Sequence, residues 1–181
     1  MEIKNHATRV KRLRRYRKYH RIVGLILAAL LLISATTGLL LGWKKNSDLI
    51  QPPTQKGLSK TLEDWKSVAE LIPIAQAALE EKVPALEDYT VDRLDFRPSK
   101  GIVKVLFEKA WWEVQLDCTS GEVLSIAKRH SDWIEALHDG SIISDTFKLV
   151  SMNLLGLGLA LMIVTGIWLW YGPKVIRRLK K

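Results

Sequence analysis

Two stretches without charged residues lie near the two ends of the chain. The first spans the 22 residues between Arg21 and Lys44, and the second lies between Lys148 and Lys174. At about 1.5 Å of rise per residue, 22 residues form a helix of about 33 Å, which is enough to cross a bilayer. The pattern therefore predicts two transmembrane helices, at residues 22–43 and 148–172.

The pattern between these stretches is that of a small folded domain. Residues 44–60 contain turn-forming prolines and Gly57 and are predicted as a linker. Apolar residues then recur at helical spacing, which predicts a helix from Thr61 to Lys82 that Pro73 bends or divides. After Pro84 the spacing changes to that of strands, predicted at 89–97, 102–107, 111–117 and 123–126. The fold class expected is α+β: a helix-plus-antiparallel-sheet domain at 61–128, flanked by two membrane helices.

Residues 129–147 are predicted to form a short interfacial helix and a loop. Asp132 and Glu135 have the spacing of a capping box, and Gly140 is a typical helix stop. Ser144 or Asp145 is expected to cap the last helix. Gly172 and Pro173 are expected to end it, before a basic tail at 173–181.

The net charge of +9 comes from the flanks of the membrane helices. Residues 1–21 hold nine Lys or Arg and one acid, and residues 174–181 hold five Lys or Arg. The segment between them, 44–148, holds 14 basic and 18 acidic residues. This distribution argues against a nucleic-acid partner and indicates a lipid bilayer. Basic flanks stay in the cytoplasm, so we expect a bacterial inner-membrane protein with cytoplasmic termini and a periplasmic middle domain.

Few residues are candidates for chemistry. The sequence has no H-E-x-x-H, no paired cysteines, no phosphate-binding glycine loop and no G-x-S-x-G. Cys118 is a single cysteine, either a small buried residue or a reactive thiol. Trp111 and Trp112 are expected to point to opposite faces of a strand, as packing residues or as a ligand platform.

Two of the four histidines lie at predicted membrane boundaries. His20 precedes the first apolar stretch and His138 precedes the second, whereas His6 and His130 lie in charged surroundings and are expected to be solvated. Neutral imidazole is a good axial ligand for haem iron, and nearby small residues let a flat cofactor approach a helix. The candidate glycines for that approach are Gly24, Gly38 and Gly140. The alternative is that both histidines are structural.

Several short motifs resemble known families. The segments IAQAALEE (74–81) and LDCTSGEVLSI (116–126) resemble the PepSY domain. RKYHRIVGLIL at the first apolar stretch, Thr37-Gly38, ALHDG (136–140) and Thr165-Gly166 resemble the PepSY-associated transmembrane family. The resemblance covers about residues 16–172. Larger family members have four or more membrane helices. This chain has only two predicted ones, so it departs from them and is expected to be a two-helix member.

The resemblance implies a function, because the family includes proteins implicated in reducing ferric siderophores with membrane-bound haem. It implies that His20 and His138 bind haem b and that electrons cross the membrane to a periplasmic acceptor in iron acquisition. Participation of a flavin is left open, as is the choice between a membrane oxidoreductase and an electron-transfer subunit. The alternative function is a redox-inactive, membrane-anchored interaction or inhibitory module that binds a periplasmic protein.

The predicted positions constrain how haem could be held. His20 and His138 are expected at opposite membrane surfaces, about 30 Å apart, so they cannot bind one iron from both sides. Three arrangements satisfy this constraint: a homodimer that pairs like histidines, a partner subunit in a larger membrane complex, or a second ligand such as Met152. The homodimer is the preferred hypothesis, because two-fold dimers are the commonest oligomers.

Overall fold

The computed structural model describes the backbone of residues 2–108 and 111–178, and the side chains of these except residues 2–7, 9 and 176–178. The chain forms two compact units. One is Leu39–Glu135, and the other combines the residues up to Gly38 with those from Ala136 onward. Its helices and strands are α1 (Glu2–Gly42), α2 (Val68–Lys82), β1 (Val91–Arg97), β2 (Ile102–Phe107), β3 (Trp112–Asp117), β4 (Val123–Lys128), α3 (His130–Asp139) and α4 (Asp145–Arg178). The predicted α+β class with two flanking membrane helices is confirmed.

Helices α1 and α4 each contain a stretch that is long and apolar enough to cross a membrane, Val10–Gly42 and Asp145–Val175. They pack side by side. The Tyr16 ring meets the edge of the Trp168 ring at a centroid distance of 5.2 Å. Farther along, Leu27 lies over Gly158, where a Cβ atom would come 2.7 Å from Leu27 Cδ1. From the first contact to the second, the residue number increases in α1 and decreases in α4, so the two helices are antiparallel.

The start of α4 agrees with the sequence prediction. The Ser144 hydroxyl accepts a hydrogen bond from the Phe147 backbone N–H at 3.1 Å, which is the geometry of an N-cap. Within α4, the Asn153 side-chain amide donates to the Leu149 carbonyl of its own helix at 2.7 Å.

The predicted end of α4 is wrong. The helix continues through Pro173 to Arg178. A proline lacks only its own N–H, so it removes one intrahelical bond, and the turn around it keeps other contacts. One of these is the Lys174 ammonium, which lies 3.7 Å from the centroid of the Trp170 ring.

The Leu39–Glu135 unit is a four-stranded antiparallel sheet in the order β1-β2-β3-β4, with α2 against one face. The strands were predicted to within two residues at each end. The core between helix and sheet consists of fully or nearly fully buried apolar residues: Leu71, Ala75, Leu79, Val103, Val105, Phe107, Val114, Leu116 and Cys118. Cys118 is therefore a buried free thiol in the core.

The start of the predicted helix 61–82 is wrong. A short 3-10 helix, Leu62–Asp64, precedes α2, which begins only at Val68. The reason is a capping box, in which Ser67 is the N-cap and the Glu70 side chain accepts from the Ser67 backbone N–H at 2.9 Å. Pro73 lies inside α2 without dividing it.

The other face of the sheet carries a buried polar row. Its members are at most 1% exposed: Lys104, Glu113, Gln115 and Asp117. The segment predicted as a linker packs along this row. Gln115 donates to the Pro53 carbonyl at 3.0 Å and accepts from the Gln55 backbone N–H at 2.9 Å. We refer to residues 51–60 as the strap.

Ion pairs complete this row. Glu113 binds Lys104 Nζ at 3.1 Å and Arg129 Nη1 at 2.8 Å. Arg129 also binds Asp132 at 2.7 Å. Burial lowers the pKa of Arg129, but the carboxylates of Asp132 and Glu113 outweigh it and raise the pKa. The predicted capping box at Asp132 is wrong, because α3 begins earlier, at His130, and the Asp132 carboxylate binds arginine instead.

Trp111 does not lie in a strand as predicted. It precedes β3 with a φ of 59°, in the left-handed region. Only Trp112 belongs to the strand, and its ring packs against the apolar core. The strand alternation expected for the two tryptophans therefore does not apply to Trp111.

Candidate functional site: two histidine-threonine pairs

His138, on α3, makes a hydrogen bond to α1. Its Nδ1 atom lies 3.0 Å from the Thr37 hydroxyl oxygen, and the Thr37 side chain is almost completely buried. The Thr37 hydroxyl also lies 2.7 Å from the carbonyl oxygen of Ile33, one turn earlier in α1. The imidazole of His138 therefore contacts a membrane helix.

His20, on α1, makes the same kind of bond to α4. Its Nδ1 atom lies 2.8 Å from the Thr165 hydroxyl oxygen. Thr165 in turn lies 2.7 Å from the Leu161 carbonyl oxygen, four residues earlier in its own helix. The two histidines thus have matching partners: a threonine on another helix whose hydroxyl also contacts a backbone carbonyl.

This arrangement selects one tautomer of each imidazole. A threonine hydroxyl has a single proton, and a carbonyl oxygen can only accept, so each hydroxyl proton is given to the carbonyl. The hydroxyl oxygen must then accept from the histidine, which means that Nδ1 carries the ring proton. The lone pair of the neutral ring is on Nε2. No hydrogen bond to either Nε2 atom occurs within the described part of the chain.

A glycine lies beside each ring, next to the partner threonine. A Cβ atom on Gly38 would lie 3.3 Å from His138 Cε1, closer than most Cβ contacts. A Cβ atom on Gly166 would lie 3.6 Å from His20 Cε1, at ordinary contact distance. A Thr-Gly pair therefore lies beside each ring, with the threonine bonded to Nδ1. Only at Gly38 would an added side chain press on the ring.

The other predicted site residues have different surroundings. A Cβ atom on Gly24 would meet Met162 Cε at 2.7 Å, so a side chain of α4 fills that space. Gly140 has a φ of 85° and follows the last residue of α3, which is the stop that the sequence predicted. Met152, on α4, is half-buried and does not line the cavity next to His138.

A small apolar cavity of about 140 Å³ lies against His138. The charged group in its lining is Asp139, whose carboxylate binds Lys148 and accepts from the Ser141 backbone N–H. Burial raises the pKa of Asp139, but these hydrogen bonds outweigh it and hold the pKa below its usual value. The remaining lining is mostly apolar: Leu30, Ile33, Leu137, Gly140, Ile142, Ile143, Phe147, Ser151 and Leu155.

The two sites are far apart along α1. Thr37 follows His20 by 17 residues, which corresponds to about 26 Å of helix at 1.5 Å per residue. A single haem iron cannot contact both imidazoles across this distance. Among the described side chains, each site therefore contains one imidazole from this chain.

The remaining histidines do not add to these sites. The side chain of His6 lies outside the described residues. His130 accepts a long hydrogen bond, 3.4 Å, from the Trp133 indole N–H, so its Nδ1 carries the lone pair and its tautomer is the opposite one. Among the described residues there is no group of three or more His, Cys, Asp or Glu placed to hold a metal ion.

Comparison with known families matches nearly the whole chain. The model of the PepSY-associated TM region matches residues 4–173, a range that includes both histidines and both Thr-Gly pairs. The chain belongs to the PepSY-associated transmembrane family. It is a two-helix membrane protein of this family, as its sequence motifs predicted. Searches of curated proteins and of solved structures find no match.

Sequence reasoning found the histidines but missed their partners. Thr37 and Thr165 were noted only as parts of family motifs, and Gly166 was not a candidate. The signal that could have found them is the repetition of Thr-Gly in both membrane helices. A threonine four residues after a carbonyl in an apolar helix can bond to that carbonyl and still accept a second hydrogen bond.

Proposed function

We propose that this protein binds haem b at His20 and His138 and carries electrons across the bacterial inner membrane to a periplasmic acceptor. The observation that carries the proposal is the pair of Nδ1 bonds to Thr165 and Thr37. Iron-ligating histidines commonly have the other ring nitrogen hydrogen-bonded, which fixes the tautomer and the ring orientation. Two rings whose Nδ1 atoms are bonded in this way, at opposite ends of the uncharged stretch of α1, would each offer Nε2 to a separate iron.

Each residue of the site has a defined task in this proposal. Thr37 and Thr165 hold the Nδ1 protons, so the neutral Nε2 lone pairs remain free. Gly38 and Gly166 keep the helix backbone clear beside the rings. The apolar lining near His138 limits water, which affects the potential of a bound redox group. Haem would supply reversible one-electron chemistry at its iron.

A second imidazole is needed for six-coordinate iron of the bis-histidine type. Each site has one imidazole from this chain, and the apolar outer faces of α1 and α4 are exposed to their surroundings. We therefore favour a homodimer in which His20 meets His20 and His138 meets His138. A different subunit of a larger membrane complex is the other source of the second ligand.

The direction of transfer follows from the charges. The basic flanks favour cytoplasmic termini, which puts the His20 end of α1 on the cytoplasmic side and the sheet domain in the periplasm. Electrons would pass from the His20 site to the His138 site. A ferric siderophore is the acceptor that the family resemblance suggests.

The absorption spectrum of the purified full-length protein tests this proposal. We expect a Soret band and one haem at each site per pair of chains. His20→Ala and His138→Ala should each remove about half of the haem, and the double variant all of it. His130→Ala is the matched control and should retain the full amount.

Two outcomes would overturn the proposal. One is colourless protein from cells supplied with haem. The other is full haem content in the double variant. In both cases the histidine-threonine bonds would serve only to hold helices together, which is the role expected of a redox-inactive, membrane-anchored module.

A further inference from the structure

A basic cleft lies in the Leu39–Glu135 unit, directly after the end of α1. Its volume is about 420 Å³. Four cationic side chains and one carboxylate line it, together with polar residues and the two prolines of the strap. The lining residues are Lys44, Lys45, Asp48, Gln51, Pro52, Pro53, Thr54, Arg97, Ser99 and Lys100.

The cations of the cleft are only partly neutralised. Lys44 approaches Glu135 at 3.9 Å, the outer limit of an ion pair, and Arg97 binds Asp95 at 2.6 Å. Lys45 and Lys100 have no ion pair with another described residue. With Asp48 as the only acid in the lining, the cleft has an excess of positive charge.

The walls of the cleft are held by the fold. The Gly57 backbone N–H donates to the Lys100 carbonyl at 2.8 Å, which fixes the strap beside the β1–β2 turn. A Cβ atom at Gly57 would lie 2.2 Å from the Gly101 carbonyl oxygen, so this close approach requires glycine. A cleft with fixed walls loses little conformational entropy when a ligand binds.

The location of the cleft indicates what would fill it. Lys44 and Lys45 follow Gly42, the last residue of the membrane-crossing stretch of α1, by two and three residues. Trp43, between Gly42 and Lys44, is two-thirds exposed. Tryptophan is enriched at the level of lipid head groups. The phosphates of anionic lipids lie at this level and attract lysine and arginine.

We propose that this cleft binds a phosphate group, and that the phosphate belongs to the head group of an anionic phospholipid. Arg97 offers a planar pair of N–H donors that matches phosphate oxygens, and the three lysines supply compact positive charge. The inference is independent of haem binding, because all of the lining residues lie outside the histidine sites.

Site-specific photocrosslinking in nanodiscs tests the proposal without interference from the basic ends of the chain. A photoreactive phenylalanine analogue replaces Thr54, an exposed residue of the lining, in the full-length protein. The nanodiscs contain phosphatidylcholine and phosphatidylglycerol in equal amounts. Mass spectrometry then measures the ratio of the two lipids attached to the peptide that contains position 54.

We expect phosphatidylglycerol adducts to dominate. In the Lys45→Gln, Lys100→Gln background their excess should fall by about fivefold for each cation removed, since one charge near the surface contributes about 1 kcal/mol. Neither lysine forms an ion pair with another residue that the structure describes, so the fold should persist, and the thermal transition checks this. Lys56→Gln, Lys82→Gln is the matched control, with two exposed lysines outside the cleft, and should retain the full excess.

A second arm distinguishes a lipid from soluble phosphate. Inorganic phosphate at 10 mM, at constant ionic strength, should leave the lipid ratio unchanged if the head group is the ligand. Loss of the adducts at that concentration, but not in chloride, would overturn the lipid source and assign free phosphate to the cleft. An equal excess of phosphatidylglycerol in the cleft variant and in wild type would overturn the proposal itself.

Discussion

One hydroxyl proton at each of Thr37 and Thr165 determines the state of a histidine. Because the proton is given to a helix carbonyl, the hydroxyl oxygen can only accept from the imidazole. The same residue type on the exposed side of α1 has no such effect. Thr36 bonds only to carbonyls of its own helix.

Replacing either partner threonine by valine should release the tautomer of the corresponding histidine. In haem-free wild-type protein at pH 8, ¹⁵N NMR should find the proton of His20 and His138 on Nδ1. Thr165→Val should give a mixture of tautomers at His20, and Thr37→Val a mixture at His138. Thr36→Val is the matched control and should change neither spectrum.

His130 supplies an internal reference for this measurement, because its Nδ1 accepts from Trp133. It should have the proton on Nε2 in all variants. An Nε2–H signal from His20 and His138 in the wild-type protein would contradict the assignment. In haem-loaded protein, each valine variant should also shift the midpoint potential, whereas Thr36→Val should not.

Cys118 should lower the stability of the protein at alkaline pH. Burial, with a smaller effect from the charge of Asp117, raises the pKa of this thiol from 9.0 to about 11. Below pH 9 the thiol is protonated in both the folded and the unfolded chain. Between pH 9 and 11 only the unfolded chain loses the proton, so the stability that the neutral thiol contributes is lost as pH rises.

Denaturant unfolding of the full-length protein in detergent, at several pH values, measures this loss. Cys118→Ala should lose less stability than wild type between pH 9 and 11. Between pH 7 and 8.5 the unfolding free energies of the two proteins should change with pH in parallel. Equal alkaline slopes would contradict the raised pKa. The thiol of the folded protein should also resist maleimide at pH 7.5 until denaturant is added.

At this scale the sequence pointed to His20 and His138 as candidates but did not reveal the residues that hydrogen-bond to them. His20 and His138 stand out because an imidazole is rare at a membrane boundary. Their partners lie 145 and 101 residues away in the chain, so the pairing depends on how the helices pack. The spacing of residues along one helix contains no information about how that helix packs against another. For this reason Gly24 was chosen as a candidate site residue and Gly166 was missed.

The stability of the α1–α4 helix pair should depend on side-chain volume at Gly158 of α4 but not at Gly156. A methyl group at Gly158 would come within 2.7 Å of Leu27, whereas a methyl group at Gly156 would meet nothing within 4 Å. Gly158→Ala should therefore destabilise the protein by about 1–3 kcal/mol through overpacking, reduced by the better helix propensity of alanine.

Gly156→Ala is the control, because alanine raises the helix propensity there without making a close contact. This variant should be as stable as wild type or more stable. Thermal unfolding of both variants in the same nanodiscs provides the comparison. A transition of Gly158→Ala at or above that of Gly156→Ala would show that α1 and α4 do not pack through this position.

Elements were predicted well where a local signal was unambiguous. The strands follow from alternating and β-branched residues, and turns at Gly101 and Gly121 separate them. Helix ends were predicted less well. At α2, the predicted start was Thr61, whereas Ser67 is the N-cap because the glutamate three residues later bonds back to it. At α4, membrane helices tolerate proline better than soluble ones do, so Pro173 was a weak stop.

The orientation of the whole molecule can be tested by thiol accessibility. A cysteine introduced at Lys56, an exposed strap residue, should react with a membrane-impermeant maleimide in intact spheroplasts. A cysteine at Lys11, in the basic part of α1, should react only after lysis. Native Cys118 is buried and does not interfere. The opposite pattern would contradict cytoplasmic termini and reverse the proposed direction of electron transfer.

The role of the strap could not be predicted from the sequence. Proline and glycine correctly indicated a segment without regular structure. The polar residues of β2 and β3, such as Lys104 and Gln115, are typical of a solvated sheet face, yet they are buried. Gln115 is satisfied by backbone groups of a segment about 60 residues earlier, and Lys104 by the carboxylate of Glu113. Such partnerships leave no periodic pattern in the sequence.

The length of α1 has a consequence for the basic N-terminal region. At 1.5 Å per residue its 41 residues extend for about 62 Å, roughly twice the thickness of the hydrocarbon layer. Lys11 lies about 15 Å along the helix from Arg21, which is more than the screening length of about 8 Å at physiological salt. For a helix that leaves the bilayer along its normal, the charges near Arg21 therefore act on the lipid far more strongly than the charge of Lys11 does.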